Sequence, residues 1–199
     1  MKKNEYEHRL VEFRAVDNEE GKMIIEGYAI IFEQPATHQY GERKFTEVIK
    51  YGALDKTDMK DVPLRYNHND TWCIMARTRN KSLTLTVDSI GLKIRAELID
   101  TQSNRDIYKS IQEGLIDKMS FAFTIPEDGD KWTINDTESI REVLNIDKLW
   151  DVSVVDTAFY DSTSIYARSL ELLDSEEKRL DGLNEIEALK QKIILKGKL

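Results

Sequence analysis

The chain has 199 residues, with 29 Lys and Arg against 37 Asp and Glu, a formal net charge of −8. That length fits one domain with an appendage, and a content of 40% hydrophobic and 33% charged residues excludes both full disorder and a membrane protein. The acidic balance argues against nucleic acid as the main partner, because phosphate binding needs concentrated positive charge.

Cys73 stands alone, which excludes an intramolecular disulfide and a cysteine-based zinc site and fits a reducing compartment. The opening MKKNEYEHRLVEF lacks the apolar stretch of a secretory signal, and no run of about 18 apolar residues exists to span a bilayer.

Residues 6–13 (YEHRLVEF) predict an opening strand, and 23–32 (MIIEGYAIIF) a second one rich in β-branched and aromatic residues. Residues 33–44 are polar, contain Pro35 and Gly41, and read as a loop. Residues 45–51 fit no single period. Residues 62–66 (VPLRY) form a short apolar stretch, which Pro63 restricts to an edge strand or a strand start. It runs into the polar cluster Asn67-His68-Asn69-Asp70. Leu83, Leu85 and Val87, then Leu92, Ile94, Ala96 and Leu98, alternate with polar residues and predict a half-buried hairpin turning at 88–91.

Ile107, Ile111 and Leu115 share one helical face, with Ser103 and Asp106 spaced as an N-terminal capping pair and Gly114 near the end. Period two returns in Met119, Phe121, Phe123 and Ile125, with Ser120, Ala122 and Thr124 opposite. Residues 127–130 read as a turn, and 138–146 fit strand or helix. In 149–156, Trp150, Val152 and Val154 fall on one face, with Asp151 and Ser153 on the other. After Ser169 the composition turns to Leu, Glu and Lys. There Leu180, Leu183, Ile186, Leu189 and Ile193 mark an amphipathic helix: a short coiled coil or partner contact, or a helix lying on the body. The predicted organisation is a body over 1–168 and a helical tail over 169–199.

Candidate chemistry is sparse. His8 and His38 read as solvated positions. His68, after an apolar strand, is either a surface histidine or a base. Ser120 is either a small strand filler or a nucleophile, the latter if a base lies behind it. Asp151, a carboxylate in an apolar strand, is either ion-paired or the group that orients an imidazole. Arg141 reads as a surface strand arginine rather than a polar helper of such a site. The HExxH, GxGxxG and GxxxxGK[ST] patterns are absent, so neither a metal nor a cofactor is expected.

Several blocks, in collinear order over residues 8–168, resemble the prohead maturation proteases of tailed bacteriophages. They are IIEGYA (24–29), FTEVIKYGAL (45–54), DVPLRYNHND (61–70), LTLTVDSIGLKIRAEL (83–98), RDIYKSIQEGLIDKMSFAFTI (105–125), LWDVSVV (149–155) and TSIYAR (163–168). That family is similar in fold to the herpesvirus assembly proteases. The resemblance implies an α+β fold: a mostly antiparallel β-barrel or curled sheet flanked by helices, with the C-terminal amphipathic helix beyond it.

It also implies a serine endopeptidase that cleaves scaffolding segments from the major capsid protein, and commonly itself, inside the immature prohead in the host cytoplasm. Nucleic acid and membrane are not among its expected partners; self-association through the tail is. By position, His68 matches the family histidine, Ser120 the nucleophile and Asp151 the acidic member. Asp151 departs from the usual Glu, so the strand must sit closer or the hydrogen bond lengthen. Other departures are Leu54 for Phe, Ala122 for Gly, and Asp156-Thr157-Ala158 where Pro-Ala is common. Two rivals are a catalytically silent capsid-assembly module of the same fold and an unrelated β-rich ligand-binding protein.

Overall fold

The structure, a computed structural model, describes residues 13–16, 21–40, 43–134 and 139–156, together with 178–179, 181–187 and 190. Two compact units divide the chain, Met1–Tyr160 and Asp161–Leu199. In the second unit the described stretch 181–187 is helical; the rest of the predicted C-terminal helix falls largely outside the described residues.

The first unit runs through β1 (Phe13–Val16), β2 (Ile24–Ile31), β3 (Ala36–Tyr40), β4 (Arg43–Ile49), β5 (Pro63–Tyr66) and β6 (Ala76–Arg77). A 3-10 turn at Thr78–Asn80 leads to β7 (Leu83–Val87), β8 (Gly91–Glu97) and the helix α1 (Gln102–Gln112). The chain continues in β9 (Lys118–Thr124), β10 (Asp130–Ile134), β11 (Ser139–Val143) and β12 (Lys148–Val155).

The alternation in β8 works as its sequence dictates: Leu92, Ile94 and Ala96 are fully buried while Lys93 and Arg95 face solvent. Gly91 is required where β8 meets β2, because a Cβ there would lie 1.9 Å from the Ile30 carbonyl oxygen. In α1, Ile107 and Ile111 are buried as the period predicts, but Leu115 lies beyond the helix and is exposed, and the N-cap is Thr101, whose side chain accepts from the Asn104 amide. Ser103 and Asp106 therefore do not form the expected capping pair. Gly114, at φ +71°, follows the helix in the left-handed conformation.

Three four-stranded sheets result, in the orders β1-β2-β8-β7, β10-β11-β4-β3 and β6-β5-β12-β9. Among the described residues the expected barrel is not closed: the three sheets are open, each with two end strands. Burial supplies the reason. Ile25, Ile30 and Ile94 of the first sheet, Ile49 and Val143 of the second, and Leu64, Val152 and Val154 of the third meet in one apolar core. Each such buried side chain contributes about 1.5–3 kcal/mol whether or not a backbone ladder closes around it. Register shifts at Tyr28/Ile30 in β2 and Leu149/Asp151 in β12 bend the strands locally.

Pairing is mostly antiparallel, but β4–β11 and β5–β12 are parallel. The opening strand expected over 6–13 lies outside the described residues except for Phe13, which begins β1, and β10 follows the expected turn at 127–130 without having been expected. The predicted loop over 33–44 contains β3, which pairs with β4, and the ambiguous stretch 138–146 contains β11.

Candidate active site

The third sheet places β12 between β5 and β9. Its register sets Ser153 opposite Ser120 and Asp151 opposite Ala122 across the β9–β12 ladder. Directly opposed residues share a face, so Ser120, Asp151 and Ser153 all point away from the apolar side carrying Met119, Phe121, Val152 and Val154. Trp150 departs from the expected alternation. The bulge at Leu149/Asp151 takes it off the Val152 face, leaving it half exposed beside the Lys148 ammonium, 3.9 Å from the ring centroid.

His68 arrives from the third strand. β5 ends at Tyr66, and Asn67 and His68 both take φ +52°, a left-handed pair that folds the chain back over β12. Hydrogen bonds hold this turn. The Asn67 amide donates to the Val154 carbonyl at 3.0 Å and the Asn69 amide to the Tyr66 carbonyl at 3.0 Å. Asp156, just past β12, accepts from the Tyr66 hydroxyl at 2.9 Å and the Asn67 side-chain amide at 3.2 Å. β5 and β9 lie two strand spacings apart, roughly 10 Å, and the imidazole bridges part of that span over β12.

His68 Nδ1 lies 2.7 Å from Asp151 Oδ1, and Nε2 lies 2.8 Å from Ser120 Oγ. The His68 and Asp151 side chains retain 13% and 12% of their exposure, so the contact is largely shielded from water. The Ser153 hydroxyl donates to Asp151 Oδ1 at 2.8 Å and accepts from the His68 backbone amide at 3.2 Å. These bonds offset the cost of placing a carboxylate in this strand. The shorter side chain of Asp does not lengthen the contact to imidazole. The set forms a continuous chain from carboxylate through imidazole to hydroxyl, the order in which a proton can be drawn from the alcohol.

The other residues singled out in the sequence lie elsewhere. His8 is outside the described residues; His38 belongs to β3 rather than a loop, and its side chain is also outside them. Arg141 is not a surface residue. It is 4% exposed and bridges Glu47 at 3.0 Å and Asp130 at 2.6 Å in the second sheet. Among the described residues no group of three His, Cys, Asp or Glu side chains is arranged to hold a metal. An open cleft of about 960 Å³ beside Lys22, Lys81, Glu97 and Tyr108 is lined by none of His68, Ser120 and Asp151.

Ser153 and Asp156, which bond to His68 and to its turn, were not singled out from the sequence as candidate site residues. The spacing of Asp151 and Ser153, two polar side chains at i and i+2 in an apolar strand, is the signal that could have found the first.

Comparison with known families places the chain by class. The model of the caudovirus prohead serine proteases matches residues 9–176. The chain belongs to that family, which makes it a serine peptidase, a hydrolase, and supports a role in capsid maturation. Membership implies a place inside the phage prohead in the host cytoplasm. No curated protein and no solved structure matches the chain.

Proposed function

We propose that the protein is a serine endopeptidase that uses Ser120 as nucleophile, His68 as general base and Asp151 as the group that orients the imidazole. His68 Nε2 takes the Ser120 proton as Oγ attacks a peptide carbonyl, and Asp151 stabilises the imidazolium that forms. The imidazolium then protonates the departing amine, the peptide C–N bond breaks, and an acyl-Ser120 ester remains. Water, activated by the now neutral imidazole, hydrolyses that ester and regenerates the hydroxyl.

The observation that supports this reading is the pair of contacts in series, 2.7 Å from carboxylate to Nδ1 and 2.8 Å from Nε2 to hydroxyl. Among the described residues β9 ends its sheet, which suits a polypeptide substrate, since an extended chain can bind by backbone hydrogen bonds along such an edge. A deep cavity is not required for that mode.

The substrates proposed are the major capsid protein, in its scaffolding segment, and the protease itself. The apolar stripe of the tail is proposed as the contact for self-association or incorporation. Co-expression with the capsid protein encoded nearby, followed by intact-mass measurement, tests the reading. Wild type is expected to shorten the capsid protein, and Ser120→Ala to leave it at full length. Equal processing by both would overturn the nucleophile assignment; full-length capsid protein with both would favour a silent assembly module.

A further inference from the structure

We propose that Ser153 is a positioning residue that fixes both the tautomer and the backbone placement of His68. Its consequence for rate rests on the peptidase reading above; its effect on the imidazole does not. Ser153 is fully buried on the central strand β12, opposite Ser120 in the ladder and two residues from Asp151.

A hydroxyl has one proton to give. At 2.8 Å from Asp151 Oδ1, that proton goes to the carboxylate, which when ionised can only accept. The oxygen lone pairs of Ser153 then face the His68 amide at 3.2 Å and His68 Nδ1 at 3.3 Å. Nδ1 therefore meets two acceptors, Asp151 Oδ1 and Ser153 Oγ, and must carry the ring proton. Nε2 is left with its lone pair toward Ser120, the state a general base needs. The same hydroxyl anchors the amide of a residue at φ +52°, a conformation uncommon for histidine. One side chain thus holds the imidazole at its backbone and selects its proton.

Ser153→Ala removes the oxygen and keeps the Cβ. It leaves the His68 amide without that acceptor and one carboxylate lone pair without that donor. Two measurements on the full chain read the consequence. The first is the long-range ¹H–¹⁵N correlation spectrum of the His68 ring, assigned by its loss in His68→Gln. Wild type is expected to show the single Nδ1–H pattern and Ser153→Ala a mixture of tautomers. The second is the rate at which a fluorophosphonate probe labels Ser120, expected to fall about 10- to 100-fold in Ser153→Ala.

Ser153→Thr, which keeps the hydroxyl, is expected to restore both. A purely structural role would change stability but neither the tautomer pattern nor the labelling of the folded fraction. A folded Ser153→Ala chain with the wild-type pattern and rate would overturn the proposal, as would a folded Thr variant that behaves like Ala. Should wild type resist the probe while Ser153→Ala still scrambles the tautomer, the positioning role stands and the nucleophile assignment fails.

Discussion

Two buried polar clusters in this molecule look alike at first count and differ in what they can do. In the second sheet, Arg141 sits between Glu47 and Asp130, with its guanidinium carbon 5.6 Å from the centre of the Trp132 ring. In the third sheet, His68 sits between Asp151 and Ser120. The first cluster joins a guanidinium, which does not give up its proton, to two carboxylates, which when ionised only accept. It can fix β4, β10 and β11 to one another but cannot start a reaction. The second cluster sets an imidazole between a hydroxyl and a carboxylate, so the ring can take the hydroxyl proton while the carboxylate stabilises the charge that forms. Burial of polar side chains is therefore no guide to chemistry; the kinds of donor and acceptor and their order are.

Substitution in each cluster should separate the two roles. Asp151→Asn has the largest expected effect. It retains the shape but sets an amide where a carboxylate oxygen faced Nδ1, so labelling or cleavage should fall by about 10³- to 10⁴-fold. Enzyme assay beside a thermal melt checks this, and a rate within tenfold of wild type would remove Asp151 from the reacting set.

Arg141→Met should do the reverse. It strands two carboxylates in a buried site and should cost about 3–5 kcal/mol of stability by denaturant titration. The fraction that remains folded should be labelled at the wild-type rate, and a large loss of rate there would merge the two clusters into one functional unit.

A surface carboxylate, Asp88, gives the smallest effect. Hydrogen bonds from the Tyr28 hydroxyl and from the Ile90 and Gly91 amides hold the Asp88 carboxyl below its ordinary value. A lowered folded-state value means the contribution is present above the unfolded-state value and is lost as pH falls through the folded one. Asp88→Asn should therefore lower the melting temperature slightly at neutral pH, and the gap to wild type should narrow in acid. A gap that widens in acid would contradict that sign.

The elements easiest to read in the sequence were those whose period reports burial. β8 alternates in burial as its letters do, β7 and β9 follow their letters in part, with Val87 exposed and Ala122 buried, and α1 shows its Ile107–Ile111 face. β3 and β10 were hidden because Thr, Gln, Lys and Asp interrupt any apolar pattern in them, and each lies at an end of the second sheet, paired on one side. The bulge that turns Trp150 outward also leaves the alternation of its letters unchanged.

Arg141 looked like surface because its burial depends on Glu47, 94 residues away on β4, and on Asp130 across the β10–β11 pairing, neither of which its own segment shows. For the site, His68, Ser120 and Asp151 each had an ordinary alternative, and it was the collinear resemblance that singled them out. Their adjacency comes from the order β5-β12-β9 and from the left-handed turn at Asn67 and His68, neither of which is a property of any one segment.

The central claim is that His68 makes the Ser120 hydroxyl reactive. Peptide mapping by mass spectrometry after fluorophosphonate treatment of the intact chain tests it most directly. The account predicts a single adduct on Ser120 in wild type and its near-complete loss in His68→Gln. An adduct formed equally well without the imidazole, or no adduct on Ser120 at all, would contradict it.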